Sequence, residues 1–349
     1  FGLPALSKDA FAVIWTTTPW TIPVNQALAY GPEVEYVISE VAGRRYIYAL
    51  DLERAFLSRL GVESVDRGHG TLKAGALADA TVRHPMHELG GFFAKPRPML
   101  AGDFVTTDSG TGLVHMAPDH GEDDFDLCKA QVPPIEPVFA VQGDGKYRAD
   151  WLWLGGEGSV INPKFNAPDG PICTALHVAG GLLAASADYK HSYPHSWRSK
   201  AKVIYRCTPQ WFVPMDKATA DGTLREKAMT AISETRWVPE KGQNRITAMV
   251  EGRPDWVLSR QRAWGVPITL FVDRKSGQYL CDADVNARII AGIRAHGVDG
   301  WSDERAQEYL GSDYALADYE RVTDILDVWF DSGCTHAFVL ESGRWPDLQ

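Results

Sequence analysis

In the first half of the chain the apolar positions fall in short runs rich in β-branched and aromatic residues. Residues 11–17, 33–41 and 44–50 are such runs, separated by Gly and Pro, and they predict strands joined by tight turns. Two stretches break this pattern. Residues 51–60 open on Asp51 and place Leu52, Ala55, Phe56 and Leu60 near helical spacing, and residues 174–189 form a second apolar helix, preceded by Pro163, Pro168 and Pro171. A domain boundary is expected after that helix, which divides the chain into 1–188 and 189–349.

The pattern then changes. A strand-like run at 203–207, a long helical pattern at 216–235 and apolar runs at 266–272 and 324–330 alternate, which predicts an α/β layer with parallel strands and a small insertion at about 273–322. The fold class expected from the whole is α/β, with a β-rich domain followed by an α/β one.

Composition narrows this. At 349 residues, 45% hydrophobic and 23% charged, the chain has the make-up of a globular protein and the length for two cores. Its apolar runs fall far short of the roughly 20 residues of a membrane helix, and no secretory pattern opens it. A cytoplasmic protein with no membrane partner is expected. Its five cysteines include no C-x-x-C pair, so free thiols in a reducing compartment are expected. The start at Phe1-Gly2-Leu3-Pro4 without Met, and the end at Leu348-Gln349, read as an excerpt from something longer.

The net charge of −10 argues against a general nucleic-acid coat protein. The charge is uneven, however. Residues 189–264 hold 14 Lys and Arg against 7 Asp and Glu, a local +7 that leaves −17 elsewhere, together with five tryptophans. That composition suits a basic surface with aromatic platforms, or equally a solvated face over a Trp-rich core.

Four phrases carry candidate chemistry. In Trp15-Thr16-Thr17-Thr18-Pro19-Trp20-Thr21, Pro19 holds Thr18 extended, so hydroxyls gather where a strand opens into a loop; plain β-propensity also explains the threonines. The phrase from Gly110 to Phe125 predicts strand, turn and helix, with Glu122, Asp123 and Asp124 in the first helical turn, where the helix dipole favours carboxylates. There Asp124 could bind an ammonium group, while Glu122 and Asp123 read as simple caps. His115, Asp119, His120 and Asp124 are metal-ligand types, but a five-residue histidine spacing across Pro118 is unlike H-E-x-x-H, and no metal is expected. The pairs His84 with His87 and His191 with His195 read as loop polarity. A third phrase sets Arg253, Arg260 and Arg262 beside Trp256 and Trp264, suited to phosphate contact and stacking. The fourth, from Asp327 to Gly333, reads as an apolar strand ending at a ligand-binding sheet edge.

Together and in this order, the four phrases resemble the isoleucine, leucine and valine branch of the class I aminoacyl-tRNA synthetases over almost the whole chain. Trp20, and the run from Ser259 to Pro267, are similar to the isoleucine-specific group within that branch. The resemblance implies a barrel-like, β-rich editing domain inserted into a Rossmann-like catalytic domain, of which part returns here. It implies a parent enzyme that joins isoleucine to tRNA(Ile) with ATP and Mg2+, acting as a monomer. This part would be a deacylase with no cofactor of its own, acting on valine or isoleucine esters at the tRNA acceptor end. The ATP-site phrases H-I-G-H and K-M-S-K-S do not occur in the 349 residues, so adenylate synthesis by this chain alone is not expected. By the resemblance, Asp124 binds the α-ammonium and His115 shapes the pocket. Thr16, Thr17, Thr18 and Asn25 surround the terminal adenosine and attacking water, Trp20 flanks them, and Arg253, Arg260, Arg262 and Trp264 contact tRNA. Three rivals stand beside this: a non-catalytic RNA-binding module, a metal hydrolase on His115 and His120, and a valine or leucine relative.

Overall fold

The β-branched and aromatic runs of the first half form two four-stranded sheets. The structure, a computed structural model, describes residues 10–65 and 70–347; the opening phrase at 2–4 and Leu348-Gln349 lie outside them. The strands are β1 (Ala10–Ala12), β2 (Ala27–Tyr30), β3 (Glu35–Val41), β4 (Arg44–Ala49), β5 (Thr71–Lys73), β6 (Thr81–Val82), β7 (Arg97–Ala101) and β8 (Leu113–Met116). One sheet has the order β1-β4-β3-β5 and the other β6-β7-β2-β8. Among the described residues neither sheet closes on itself, so this half is two open sheets where the resemblance implied a barrel. The run at 11–17 keeps only β1 and the run at 44–50 only β4, with Leu50 opening a 3-10 turn.

Alternation along the strands assigns each side chain a face. On β2, Leu28 and Tyr30 join Ile38, Ile47, Ala49, Met99 and Leu113 in a core drawn from both sheets, while Ala27 and Ala29 turn the other way toward Cys128. On β4, Ile47 and Ala49 face that shared core, and Tyr46 and Tyr48 face Phe56 and Leu57 of helix α1 (Glu53–Leu60).

The sheets are stitched where β4 ends and β8 begins. The Ala49 N–H donates to the Thr111 carbonyl at 2.8 Å, Thr111 Oγ1 donates to the Val13 carbonyl at 2.6 Å, and the Tyr36 hydroxyl donates to the Gly112 carbonyl at 2.7 Å. Gly112 has φ +75°, and a Cβ there would lie 2.3 Å from that of Ala49. Only glycine fits this crossing.

Three more helices belong to this unit: α2 (Gly91–Ala94), α3 (Glu122–Lys129) and α4 (Pro171–Val178). The helix expected at 174–189 starts earlier, because Pro171 suits the first helical position, and stops at Val178, before Gly180 with φ +69°. The chain divides into two compact units between Thr208 and Pro209, later than the boundary expected after residue 188. The reason is local. His120 Nδ1 bonds the Tyr205 carbonyl at 2.8 Å and the Cys207 N–H donates to the Asp119 carbonyl at 2.8 Å, which ties residues 205–207 to the first unit; the strand expected at 203–207 does not form.

The second unit contains strands β9 (Phe212–Val213), β10 (Trp256–Val257), β11 (Ser259–Arg260), β12 (Phe271–Asp273), β13 (Tyr319–Arg321) and β14 (Ile325–Leu326), with helices α5 (Leu224–Glu234), α6 (Lys241–Glu251), α7 (Ala283–His296), α8 (Ala306–Leu310) and α9 (Val328–Gly333). Its strands pair as β9 with β10, β11 with β14 and β12 with β13, all antiparallel, so the expected parallel layer is not formed among the described residues. The run at 324–330 is strand only for Ile325 and Leu326, because the Asp327 side chain accepts from the Trp329 N–H and starts α9. Phe271 on β12 packs with Val285 and Ile289 of α7, Trp301, and Tyr309 and Leu310 of α8 in a core of this unit. Among the described residues no helix is long and apolar enough to cross a membrane.

Candidate active site

After β1 the chain turns through Trp15 to Thr18 and enters a 3-10 turn, Pro19–Val24. Pro19 cannot donate, and Thr18 precedes it in a non-helical conformation, so the threonine side chains complete the local bonding. Thr16 Oγ1 accepts from the Thr18 N–H at 3.0 Å and lies 3.2 Å from Thr18 Oγ1. The Thr18 carbonyl accepts from Thr21 twice, from its N–H at 3.0 Å and its Oγ1 at 2.9 Å. Asn25 is buried at the end of the turn and donates from Nδ2 to the Ala27 carbonyl at 2.8 Å. Trp20 is buried in a second core with Phe93, Tyr147, Trp151 and Trp153; its carbonyl accepts from the Tyr147 hydroxyl, and its ring meets His120 edge-on with centroids 4.6 Å apart.

His115 enters from β8. Its register partner is Leu28, which places the imidazole on the inter-sheet face, at a position the alternation otherwise gives to apolar residues. Nε2 lies 2.9 Å from Thr21 Oγ1, while Nδ1 is buried and has no hydrogen-bond partner among the described residues. Burial, with His84 and His120 nearby, lowers its pKa to about 4, so it is neutral at pH 7.

Gly121 is the N-cap of α3, and Asp124 lies in the helix's first turn, as the sequence predicts. Asp124 Oδ2 accepts from the Ala117 N–H at 2.7 Å, joining the helix start to the end of β8. Burial raises the Asp124 pKa to about 6; the Ala117 N–H opposes that rise and the neighbouring Asp123 adds to it. Among the described residues no ion pair gives Asp124 a cation.

Thr16, Thr17, Asn25 and His115 all line one cavity of about 2180 Å³, together with Trp15, Ile22, His84 and Cys173. Thr18, Trp20 and Asp124 are not among its lining residues: Thr18 caps the turn, Trp20 is in the core beneath it, and Asp124 is turned toward Ala117. Three contributors escaped sequence reasoning. Thr21 bonds His115. Gly121 leaves room for the acid, because a Cβ there would lie 2.8 Å from Asp124 Cγ. His84, read as loop polarity, is buried and bonds the Ile22 carbonyl through Nε2 at 3.0 Å while Nδ1 accepts from the Met86 N–H at 3.0 Å, so it props the turn. The threonine-turn register offered a signal for Thr21; nothing in the sequence offered one for His84.

The arginine phrase lies in the second unit. Arg260 is engaged internally, with Nη2 2.7 Å from Asp327 Oδ2 and Nη1 donating to the Val257 and Ser259 carbonyls at 2.6 and 2.8 Å. Arg262 and Trp264 are exposed, the indole 91% so, and Arg253 is exposed while its carbonyl accepts from Arg225 at 2.7 Å. Among the described residues no group of three or more His, Cys, Asp or Glu could hold a metal ion.

These elements have counterparts in known proteins. The chain belongs to the class I tRNA synthetases (I, L, M and V), whose family model matches residues 16–348. It is similar to the isoleucine–tRNA ligase of Zymomonas mobilis subsp. mobilis, 60% identical over 341 residues that cover 95% of this chain and 36% of the relative. The isoleucine–tRNA ligase of Gluconobacter oxydans is 46% identical over 351 residues, covering 94% of this chain and 35% of the relative. The chain thus spans about a third of the length of these curated relatives. A solved structure, GlLeuRS-CP1, aligns with 34% of this chain and 43% of its own at 19% identity and a TM-score of 0.29, a likeness too weak to identify a shared fold.

Proposed function

We propose that this chain carries the proofreading site of an isoleucine–tRNA ligase and hydrolyses valine wrongly esterified to tRNA(Ile). In this reading the first unit is the editing domain and the second is part of a Rossmann-like catalytic domain. The parent enzyme, working in the cytoplasm, joins isoleucine to tRNA(Ile) with ATP and Mg2+. The need for such a site is physical: one methylene in an apolar pocket discriminates by only about 1–3 kcal/mol, the isoleucine–valine pair being itself the standard illustration of that limit.

The observation that carries the reading is the convergence of Thr16, Thr17, Asn25 and His115 on one cavity, with His115 two residues before the Ala117 N–H that Asp124 holds. The ester is already activated by its ribose, so no protein nucleophile is needed, and placing a water correctly suffices. The threonine hydroxyls and the Asn25 amide hold the terminal adenosine and that water. His115, neutral and on an apolar face, limits the side chain that enters. Asp124, ionised above about pH 6, takes the α-ammonium on Oδ1 while Oδ2 keeps its bond to Ala117.

One observation favours a second reading, an RNA-binding module without hydrolysis: the Asp124 carboxyl bonds the Ala117 N–H and is not among the residues that line the cavity. Incubation of the 349-residue chain with Val-tRNA(Ile) and Ile-tRNA(Ile) separates the two. Loss of the valine ester alone is expected; persistence of both esters would sink the proofreading reading.

A further inference from the structure

The 3-10 turn Pro19–Val24 brings Thr21 to His115, and Pro23 inside it has no N–H with which to brace it. Support comes from outside, at the Ile22 carbonyl, which accepts from the Asn25 N–H and lies 3.0 Å from His84 Nε2. His84 follows β6 at one edge of the sheet β6-β7-β2-β8, and His115 lies on β8 at the other. The turn joins these edges by hydrogen bonds, His84 to Ile22 and Thr21 to His115. The protons along this path are set by their partners. The Met86 N–H can only donate, so His84 Nδ1 is bare and Nε2–H donates to Ile22. Thr21 gives its one hydroxyl proton to the Thr18 carbonyl at 2.9 Å, so its Oγ1 accepts from His115, whose Nε2 carries the proton.

His84 is 2% exposed and packs against Phe93 and Trp153, with ring centroids 5.2 and 6.1 Å away. An apolar side chain would pack there without the cost of burying an imidazole, so what histidine adds at this position is the bond to Ile22. We propose that His84 is a positioning residue for side-chain selectivity. By fixing the turn it fixes Thr21, and through Thr21 it holds the tautomer and orientation of the His115 ring at the cavity wall. Valine and isoleucine differ by one methylene, and a displacement of about 1 Å in a site can change a rate about 100-fold, so a loosened His115 would no longer tell the two esters apart. The inference rests on reading the cavity as the deacylation site, but one arm of its test does not depend on hydrolysis.

The test compares the full chain with His84→Leu, His84→Gln and Thr21→Val. Glutamine can still donate to the Ile22 carbonyl and leucine cannot; Thr21→Val cuts the path beyond His84 and decides the matter if His84→Leu does not fold. In the first arm the histidines carry nitrogen-15, and imidazole spectra should show His115 protonated on Nε2 in the unaltered chain and in His84→Gln. That N–H signal should be lost to exchange with water in His84→Leu and Thr21→Val. The second arm reads the ratio of Val-tRNA(Ile) to Ile-tRNA(Ile) deacylation, which a mere loss of folded protein does not move. It should fall about tenfold or more in His84→Leu and Thr21→Val, and His84→Gln should restore most of it. An unchanged ratio in His84→Leu or Thr21→Val, or a glutamine variant as unselective as the leucine one, would overturn the assignment. If the unaltered chain cleaves neither ester while the spectra change as expected, the deacylase reading falls and the hold of His84 on His115 stands. Cleavage with spectra and ratio unmoved removes His84 and leaves the deacylase.

Discussion

Asp124 in the first unit and Asp327 in the second occupy similar places near helix starts but have opposite electrostatics. Asp327 is supplied from within: the Trp256 indole donates to it at 2.9 Å, Arg260 pairs with it at 2.7 Å and the Trp329 N–H donates to it. Burial pushes its pKa up, but these partners prevail and hold it below the usual carboxylate range. Asp124 has the Ala117 N–H and Asp123 beside it, and burial takes it up to about 6. A carboxylate whose cation is built in is a structural part. One that is partly desolvated and, among the described residues, left without a cation favours a positive group arriving from outside. The aromatic residues divide along the same line. Trp20 is 4% exposed in a core that supports the cavity, whereas Trp264 is 91% exposed.

The sharpest way to break this comparison is to remove both acids in turn. Asp124→Ala should slow deacylation of Val-tRNA(Ile) roughly 100-fold, the usual scale for deleting one partner of a desolvated charge pair, whereas Asp327→Ala should act on stability and leave hydrolysis in place. Equal effects on hydrolysis would erase the distinction. The pH profile sharpens it: hydrolysis should rise as pH passes through about 6, and Asp124→Asn should flatten that limb. Next, Gly121→Ala keeps an allowed backbone but drives a methyl into the Asp124 carboxyl, and a roughly 10-fold loss of hydrolysis is expected from the displaced acid.

Stability should respond to acid as well. His84 and His115, both lowered to about 4 mainly by burial, bind protons more readily when unfolded. Their contribution is intact above pH 6.5 and is lost as pH falls toward 4, on the order of 3 kcal/mol per imidazole. Asp124, raised, acts in the opposite sense between about 4 and 6. Denaturant melts of His84→Gln should show a shallower decline over pH 6.5 to 4. The smallest effect expected is in the second unit. Thr223→Ala removes the capping box that Thr223 and Glu226 form on α5, and should cost about 1 kcal/mol with no change in hydrolysis.

Local signals made much of this legible in the sequence. Asp124 was placed in a first helical turn because Gly121 and three acids spell a helix start, and that is where it lies. The threonine turn follows from Pro19, which keeps Thr18 out of the helical region. What was hidden depends on contacts far apart in the chain. The pairing of Thr21 with His115 spans 94 residues, and His84 reaches Ile22 across 62. The run at 324–330 misled because its apolar residues outweigh, in a strand count, the single cap that Asp327 provides. The run at 203–207 misled because its bonding is satisfied by His120 and Asp119, not by a neighbouring strand.

The crossing at Gly112 has a consequence for how such a site can evolve. The spacing between the two sheets is fixed at a position with no side chain to vary, since even a methyl would collide with Ala49. Point mutation therefore has little purchase on the breadth of the chamber at its root. Drift toward larger or smaller substrates has to proceed through the residues at its rim, one side chain at a time, while the frame behind them stays still.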